Sequence, residues 1–146
     1  MAAARTMSHG GEHALGWLVL GGVGMSASRG ARRRDWLRAA ESVAAAHAAA
    51  VLIKRVIRRP RPDDPRIRVL VDTPSRLSFP SAHVSSTTAA AVAYGPLLAV
   101  GPVIPAAVVA TMGVSRLVLG VHFPTDVAVG ALVGWAVAVK LRQVLA

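Results

Sequence analysis

The chain contains no cysteine. That excludes disulfides, thiolate metal sites and a cysteine nucleophile, and leaves the redox compartment open. Aromatic residues are scarce, at 4%. Acidic residues are also few, 7 Asp and Glu against 17 Lys and Arg, so the formal net charge is +10. What abounds is apolar: 53% of the 146 residues are hydrophobic, with Ala, Val and Gly dominant. A soluble domain seldom combines so much apolar sequence with so much charge; apolar helices joined by basic loops account for both. Small residues suit that reading, because they let helices approach closely in lipid, where packing drives association. A strongly basic chain could bind nucleic acid. Here the arginines fall between apolar runs rather than along one soluble face, so no nucleic-acid partner is expected.

Five apolar segments follow one another, at about 13–27, 36–57, 84–100, 102–119 and 125–145. A membrane-spanning helix needs about 20 residues. The first segment is short and glycine-rich. It can be read as a signal peptide, with Arg5 as its basic end and Met25-Ser-Ala-Ser28 near a cleavage site. The weakly basic start, and the four spans that cleavage would leave, favour a retained helix. The second segment carries Glu41 and His47, and polar groups at membrane depth face the bundle interior. His47 lies seven residues before Lys54, on about the same helical face, where a bond to a neighbouring helix is the expected role. Glu41 follows Arg38 by three, which suggests a local ion pair. Residues 58–79 form the one long hydrophilic loop, and Pro60, Pro62, Pro65 and Pro74 argue against a long helix there.

With five spans, the loops after the second and fourth lie on one face, and the third span starts on that same face. Three polar stretches then share a membrane surface: Lys54-Arg-Val-Ile-Arg-Arg-Pro-Arg61-Pro62; Pro80-Ser81-Ala82-His83; and Ser115-Arg116 followed by His122 and Asp126. A phosphate monoester carries nearly two negative charges and resists nucleophiles, so its catalyst must neutralise charge and fix geometry. Lys54, Arg61 and Arg116 offer cations, Ser81 a hydroxyl donor, and the backbone N–H groups of Ala82 and His83 further donors at a helix start. His122 and Asp126 are four apart. If a helix begins at Pro124, the carboxylate can reach back, fix the imidazole tautomer and free the other nitrogen to attack. His83 is then the candidate general acid for the leaving oxygen. Arg55, Arg58 and Arg59 are read as interfacial charges on lipid head groups, and Arg66, Arg68 and Arg76 as solvated. Ser85, Ser86, Thr87 and Thr88 are expected to bond within or between helices. No ligand spacing for a metal stands out, and no cofactor is expected.

These blocks resemble the signature of the type 2 phosphatidic acid phosphatase superfamily of membrane lipid phosphatases. Lys54, Arg61 and Pro62 match its first block; Pro80, Ser81 and His83 its second; Ser115, Arg116, His122 and Asp126 its third. The resemblance spans residues 54–126. Ala82 departs from it, standing where the family usually has glycine; many relatives also have six spans. The resemblance implies a phosphohistidine on His122, oriented by Asp126, with His83 protonating the leaving group. It also implies phosphate binding by the remaining matched residues and no need for metal. Within the superfamily, Gly11-Glu-His-Ala-Leu-Gly-Trp17 and Thr73-Pro-Ser-Arg-Leu-Ser-Phe-Pro-Ser-Ala-His83 resemble the actinobacterial decaprenylphosphoryl-5-phosphoribose phosphatases of cell-wall arabinan precursor synthesis.

The expectation is therefore an all-α, single-domain membrane bundle of about five transmembrane helices in a bacterial plasma membrane. Its active site lies at one membrane face, and its substrate is a lipid phosphate. Undecaprenyl diphosphate or phosphatidylglycerol phosphate are alternative substrates, and an inactive lipid-binding protein is the alternative of another class. Oligomeric state is not legible. Nor is sidedness: once the cations that chemistry needs are set aside, Lys and Arg divide evenly between the faces. The tight Arg32-Arg33-Arg34 cluster leans toward an external site. A precursor made from a soluble sugar phosphate leans the other way.

Overall fold

The computed structural model of the chain describes residues 14–67, 69–73 and 75–144. They form five helices: α1 (Leu15–Ser26), α2 (Gly30–Ile57), α3 (Ala82–Leu97), α4 (Val103–Val118) and α5 (Pro124–Val144). The only β pairing among the described residues is an isolated bridge between Pro60 and Leu77 in the loop after α2. Every expected apolar segment is a helix, with shifted ends. α2 starts at Gly30 rather than Trp36, so the arginine cluster is helical; arginine is a good helix former, and hydropathy marks a membrane edge rather than a hydrogen-bonded end. α3 starts at Ala82, because Ser81 caps it by accepting the Val84 N–H. α5 starts at Pro124, whose fixed φ suits the first helical position. Arg5, the beginning of the Gly11 to Trp17 motif, Arg68 and Pro74 lie outside the described residues.

Among the described residues, α5, at 21 residues, is the helix both long and apolar enough to cross a membrane by itself, and α1 and α4 are apolar but shorter. α2 has 28 residues but opens with charge, and α3 has 16. Around a buried apolar core that includes Trp36, Val43 and Tyr94, large apolar side chains also face outward. Val19, Val23, Leu52, Val103, Ile104, Val114, Leu132 and Trp135 face outward, while Ser42, Ser85, Ser86, Thr87, Arg116 and Asp126 are buried. Hydrocarbon outside favours that arrangement, since polar groups then satisfy one another inside.

α3 is central, packing on α2, α4 and α5. Ser85 Oγ donates to Ala46 O of α2 at 3.0 Å, one of the expected interhelical hydroxyl bonds. α1 joins the bundle through Trp17, whose Nε1 donates to Thr87 Oγ1 at 3.1 Å and whose carbonyl accepts from Tyr94 Oη at 3.0 Å. The Tyr94 ring in turn meets Trp36, centroids 5.4 Å apart. The expected Arg38–Glu41 pair does not form. Arg38 reaches back to Asp35 at 3.9 Å, in the direction helical side chains tilt, and Glu41 is exposed.

Candidate active site

The end of α2, the following loop, the start of α3, the last turn of α4 and the turn before α5 converge. They line one cavity of about 380 Å³ with Lys54, Arg61, Ala82, His83, Arg116 and His122. The three polar stretches thus meet at one end of the bundle, as the span count requires. Each has a local cause. Arg58, in the left-handed region, ends α2 just past Lys54. Gly120, with φ of 69°, ends α4 and turns the chain back toward the cavity, bringing His122 to it.

Lys54 and Arg61 are fixed by backbone carbonyls. Lys54 Nζ donates to Leu77 O at 3.0 Å and to Ser78 O at 3.4 Å. Arg61 donates from Nε to Ser75 O at 2.9 Å and from Nη1 to Val121 O at 2.6 Å. Arg116, 2% exposed, donates from Nε to Ser115 Oγ at 3.2 Å. Neutral partners hold Lys54 and Arg61 in place while leaving their charge for an anion, which is the preorganisation phosphate chemistry needs. Burial lowers the Arg61 guanidinium to about 10, so it remains a cation at neutral pH.

His122 is held between that cation and Asp126. Its Nε2 lies 3.4 Å from Arg61 Nη1, and its Nδ1 lies 3.4 Å from Asp126 Oδ2. Nδ1 has no hydrogen bond of good geometry, so the contact with Asp126 is an ion-pair distance rather than a formed bond. A guanidinium donates only, which places the lone pair on Nε2 and the proton on Nδ1 beside the carboxylate. Burial above all lowers the His122 pKa to about 4; Asp126 opposes that shift, and Arg61 and Lys54 add to it. The ring is therefore neutral and nucleophilic near pH 7. His83 lines the same cavity with Nε2 buried and unpartnered, a polar atom placed for a ligand oxygen.

Other expected residues stand behind the cavity. Asp126 is fully buried, and its Oδ2 accepts the Phe123 N–H at 2.8 Å. Ser115 supports Arg116, and Pro62 and Pro80 are buried. Ser81, expected as a hydroxyl donor to phosphate, stands at the start of α3. It is fully buried, its Oγ caps α3, its N–H donates to Asp126 O at 3.0 Å, and it does not line the cavity. A serine just before an apolar helix is above all an N-cap. Ala82 carries no backbone strain, because the positive-φ non-glycine residues among those described are Ala14, Arg58 and Ala99.

Three residues read as peripheral belong to the site. Arg59, expected at head groups, turns inward. Its Nη1 donates to Thr125 Oγ1 at 2.7 Å and to Asp126 Oδ1 at 3.2 Å, and its guanidinium stacks 3.9 Å over the Phe123 ring. Nothing in the run Arg58-Arg59-Pro60-Arg61 separates it from its neighbours. His47, expected to serve only a neighbouring helix, lines the cavity together with Arg55; its seven-residue spacing from Lys54 was the available signal.

A helical bundle with apolar flanks and a cationic, histidine-lined cavity defines a phosphatase of membrane lipid phosphates. The chain belongs to the PAP2 superfamily, whose profile matches residues 35–145. It is 55% identical over 144 residues to the decaprenylphosphoryl-5-phosphoribose phosphatase of Mycobacterium tuberculosis, covering 99% of this chain and 80% of that one. It is 57% identical over 132 residues to the enzyme of the same name from Mycolicibacterium smegmatis, covering 89% of this chain and 71% of that one. Its architecture is similar to the crystal structure of a transmembrane PAP2-type phosphatidylglycerolphosphate phosphatase from Bacillus subtilis. That match has a TM-score of 0.78 and 25% identity, and covers 97% of this chain and 74% of the other.

Proposed function

We propose that the protein removes the 5-phosphate from decaprenylphosphoryl-5-phosphoribose. It acts as one multi-pass domain over residues 1–146 in a bacterial plasma membrane, on the path to cell-wall arabinan. The observation that carries this reading is the 55% identity over 99% of the chain to an enzyme of that name, a match that takes in the whole cavity.

In the proposed reaction the phosphate sits among Lys54, Arg61 and Arg116. The lone pair of His122 Nε2 attacks phosphorus, a P–N bond forms, and the bond from phosphorus to the ribose oxygen breaks. His83 gives its proton to that oxygen as it leaves. Asp126, facing the Nδ1 proton, stabilises the positive charge that grows on the ring. Water then attacks the phosphohistidine, His83 takes a proton from it, and inorganic phosphate leaves with His122 neutral again. Metal has no part in these steps.

Phosphate release from a purified panel tests the proposal. The ribosyl lipid is expected to be the best substrate, ahead of undecaprenyl diphosphate and of phosphatidylglycerol phosphate, the lipid that the structural relative's name suggests. Turnover is expected to persist in EDTA and to be blocked by vanadate, a mimic of five-coordinate phosphorus. Loss of activity in EDTA would sink the metal-free reading. His122→Ala is expected to abolish both turnover and the acid-labile phosphoenzyme; a phosphoenzyme that survived in this variant would remove His122 as the nucleophile.

A further inference from the structure

Asp72 has no role in the reaction above, yet it lines the same cavity as His122. The other ionised lining residues, Lys54, Arg55, Arg61 and Arg116, are all cations. Asp72 is exposed and makes no ion pair or hydrogen bond among the described residues. A carboxylate facing a phosphate pocket repels the phosphate, so it does not serve to hold the anion. What it can do is accept hydrogen bonds from hydroxyls, and two adjacent hydroxyls match its two oxygens.

Its place is set by the phosphate-binding cations. Downstream, Ser75 O accepts from Arg61 Nε, and Leu77 O and Ser78 O accept from Lys54 Nζ. Upstream, the Leu70 N–H donates to Leu119 O at 3.2 Å. Between these anchors, Thr73 Oγ1 donates to Ser75 O at 3.1 Å. Three residues of chain reach about 10 Å at most, so Asp72 stays that close to the backbone that Arg61 grips.

We propose that Asp72 binds hydroxyls of the departing alcohol and makes the site selective for phosphate esters of a polyol, such as a pentose. A plain polyprenol or a diacylglycerol offers it nothing. This inference rests on the proposed phosphatase reaction. A site built to accept from substrate hydroxyls discriminates strongly against substrates that lack them.

The test compares kcat/KM for two lipids, the ribosyl phosphate and decaprenyl monophosphate, in the wild type, Asp72→Asn and Asp72→Ala. The ratio of the two values is expected to fall about tenfold in Asp72→Ala and less in Asp72→Asn, whose amide oxygen still accepts; the loss on the ribosyl lipid should lie mainly in KM. An equal fall on both lipids would mean a structural role, and an equal rise would mean mere repulsion of phosphate; either overturns the inference, as does an unchanged ratio. If the wild type releases no phosphate from the ribosyl lipid, the substrate reading itself fails. A wild type that prefers the ribosyl lipid, with variants that prefer it as strongly, removes Asp72 alone.

Discussion

Asp126 is fully buried and faces His122 from 3.4 Å, so its other partners decide how firmly it steers the ring. Arg59 is the charged one, and it also stacks on Phe123 and bonds Thr125, the residues flanking Pro124. Removing it leaves the carboxylate with the Phe123 N–H and the imidazole alone. Arg59→Ala is therefore expected to lower kcat by about 10- to 100-fold, the weight of one charged hydrogen bond, while KM stays near the wild-type value. A raised KM with intact kcat would return Arg59 to a head-group role. His122 gives a second expectation. Its pKa falls from 6.5 to about 4, so between those values an unfolded chain takes up a proton that the folded site refuses. Stability contributed by the neutral ring is complete above about pH 6.5 and is lost as pH falls toward 4. Thermal midpoints in detergent should drop more between pH 7 and 4.5 in the wild type than in His122→Asn, which cannot take up that proton. That Lys54, Arg61, His83, Arg116 and His122 meet in one cavity was legible, because their types and spacings are what phosphate chemistry demands. The inward turn of Arg59 and the place of Asp72 at the cavity were not, because both depend on which way a loop folds, and neighbouring loop residues of the same charge carry no mark of it. Ser81 caps α3 as an acceptor, which leaves its O–H to donate, so the cap and the expected phosphate contact are compatible.

At the scale of elements, α5 lies against α3 through two glycines one turn apart. A Cβ on Gly130 would stand 2.6 Å from Ser81 O, and one on Gly134 would run into Ser85 O. Both obstacles are backbone in the helix that carries His83, so neither can swing aside. Gly134→Ala is expected to cost about 1–3 kcal/mol, the usual penalty of overpacking, read as a lower thermal midpoint in detergent. Gly130→Ala presses on Ser81, whose N–H bonds Asp126 O, and is expected to lower kcat as well as stability. Gly22→Ala is the control: nothing lies within 4 Å of its Cβ. It should be neutral or slightly stabilising, since alanine restricts the unfolded chain. A Gly134→Ala protein as stable as the Gly22→Ala control would show that the helices are not held by this approach. The five helices themselves were legible from apolar runs. This contact was not, because a glycine in a glycine-rich helix reads alike whether it faces lipid or another backbone; only the docked helices separate Gly134 from Gly22.

For the whole molecule, the structure alters the arithmetic of sidedness. At the cavity end, Lys54, Arg61 and Arg116 are committed to the site, Arg59 is committed to Asp126, and Arg66 is paired with Asp64 at 2.8 Å. Among the described residues, Arg55, Arg58 and Arg76 are left there to act as topological signals. At the other end, Arg29, Arg32, Arg33 and Arg34 crowd the short connection between α1 and α2 and the first turns of α2, and Lys140 and Arg142 lie near the end of α5. Basic residues in short connections beside apolar helices mark the cytoplasmic side, so the cavity is expected to open outward. The opposing consideration is chemical: a lipid built from a soluble sugar phosphate is made where that sugar is. Since the chain has no cysteine, single substitutions at exposed positions decide between them. Asp63→Cys, beside the cavity loop, is expected to react with an impermeant maleimide in intact cells. Ala31→Cys, at the opposite end, is expected to react only after lysis. The reverse pattern would place the cavity in the cytoplasm, where its product is released on the side that made the precursor. The expected pattern instead requires the phosphorylated lipid to cross the bilayer before its phosphate leaves, so the same labelling also decides whether a flipping step must come first.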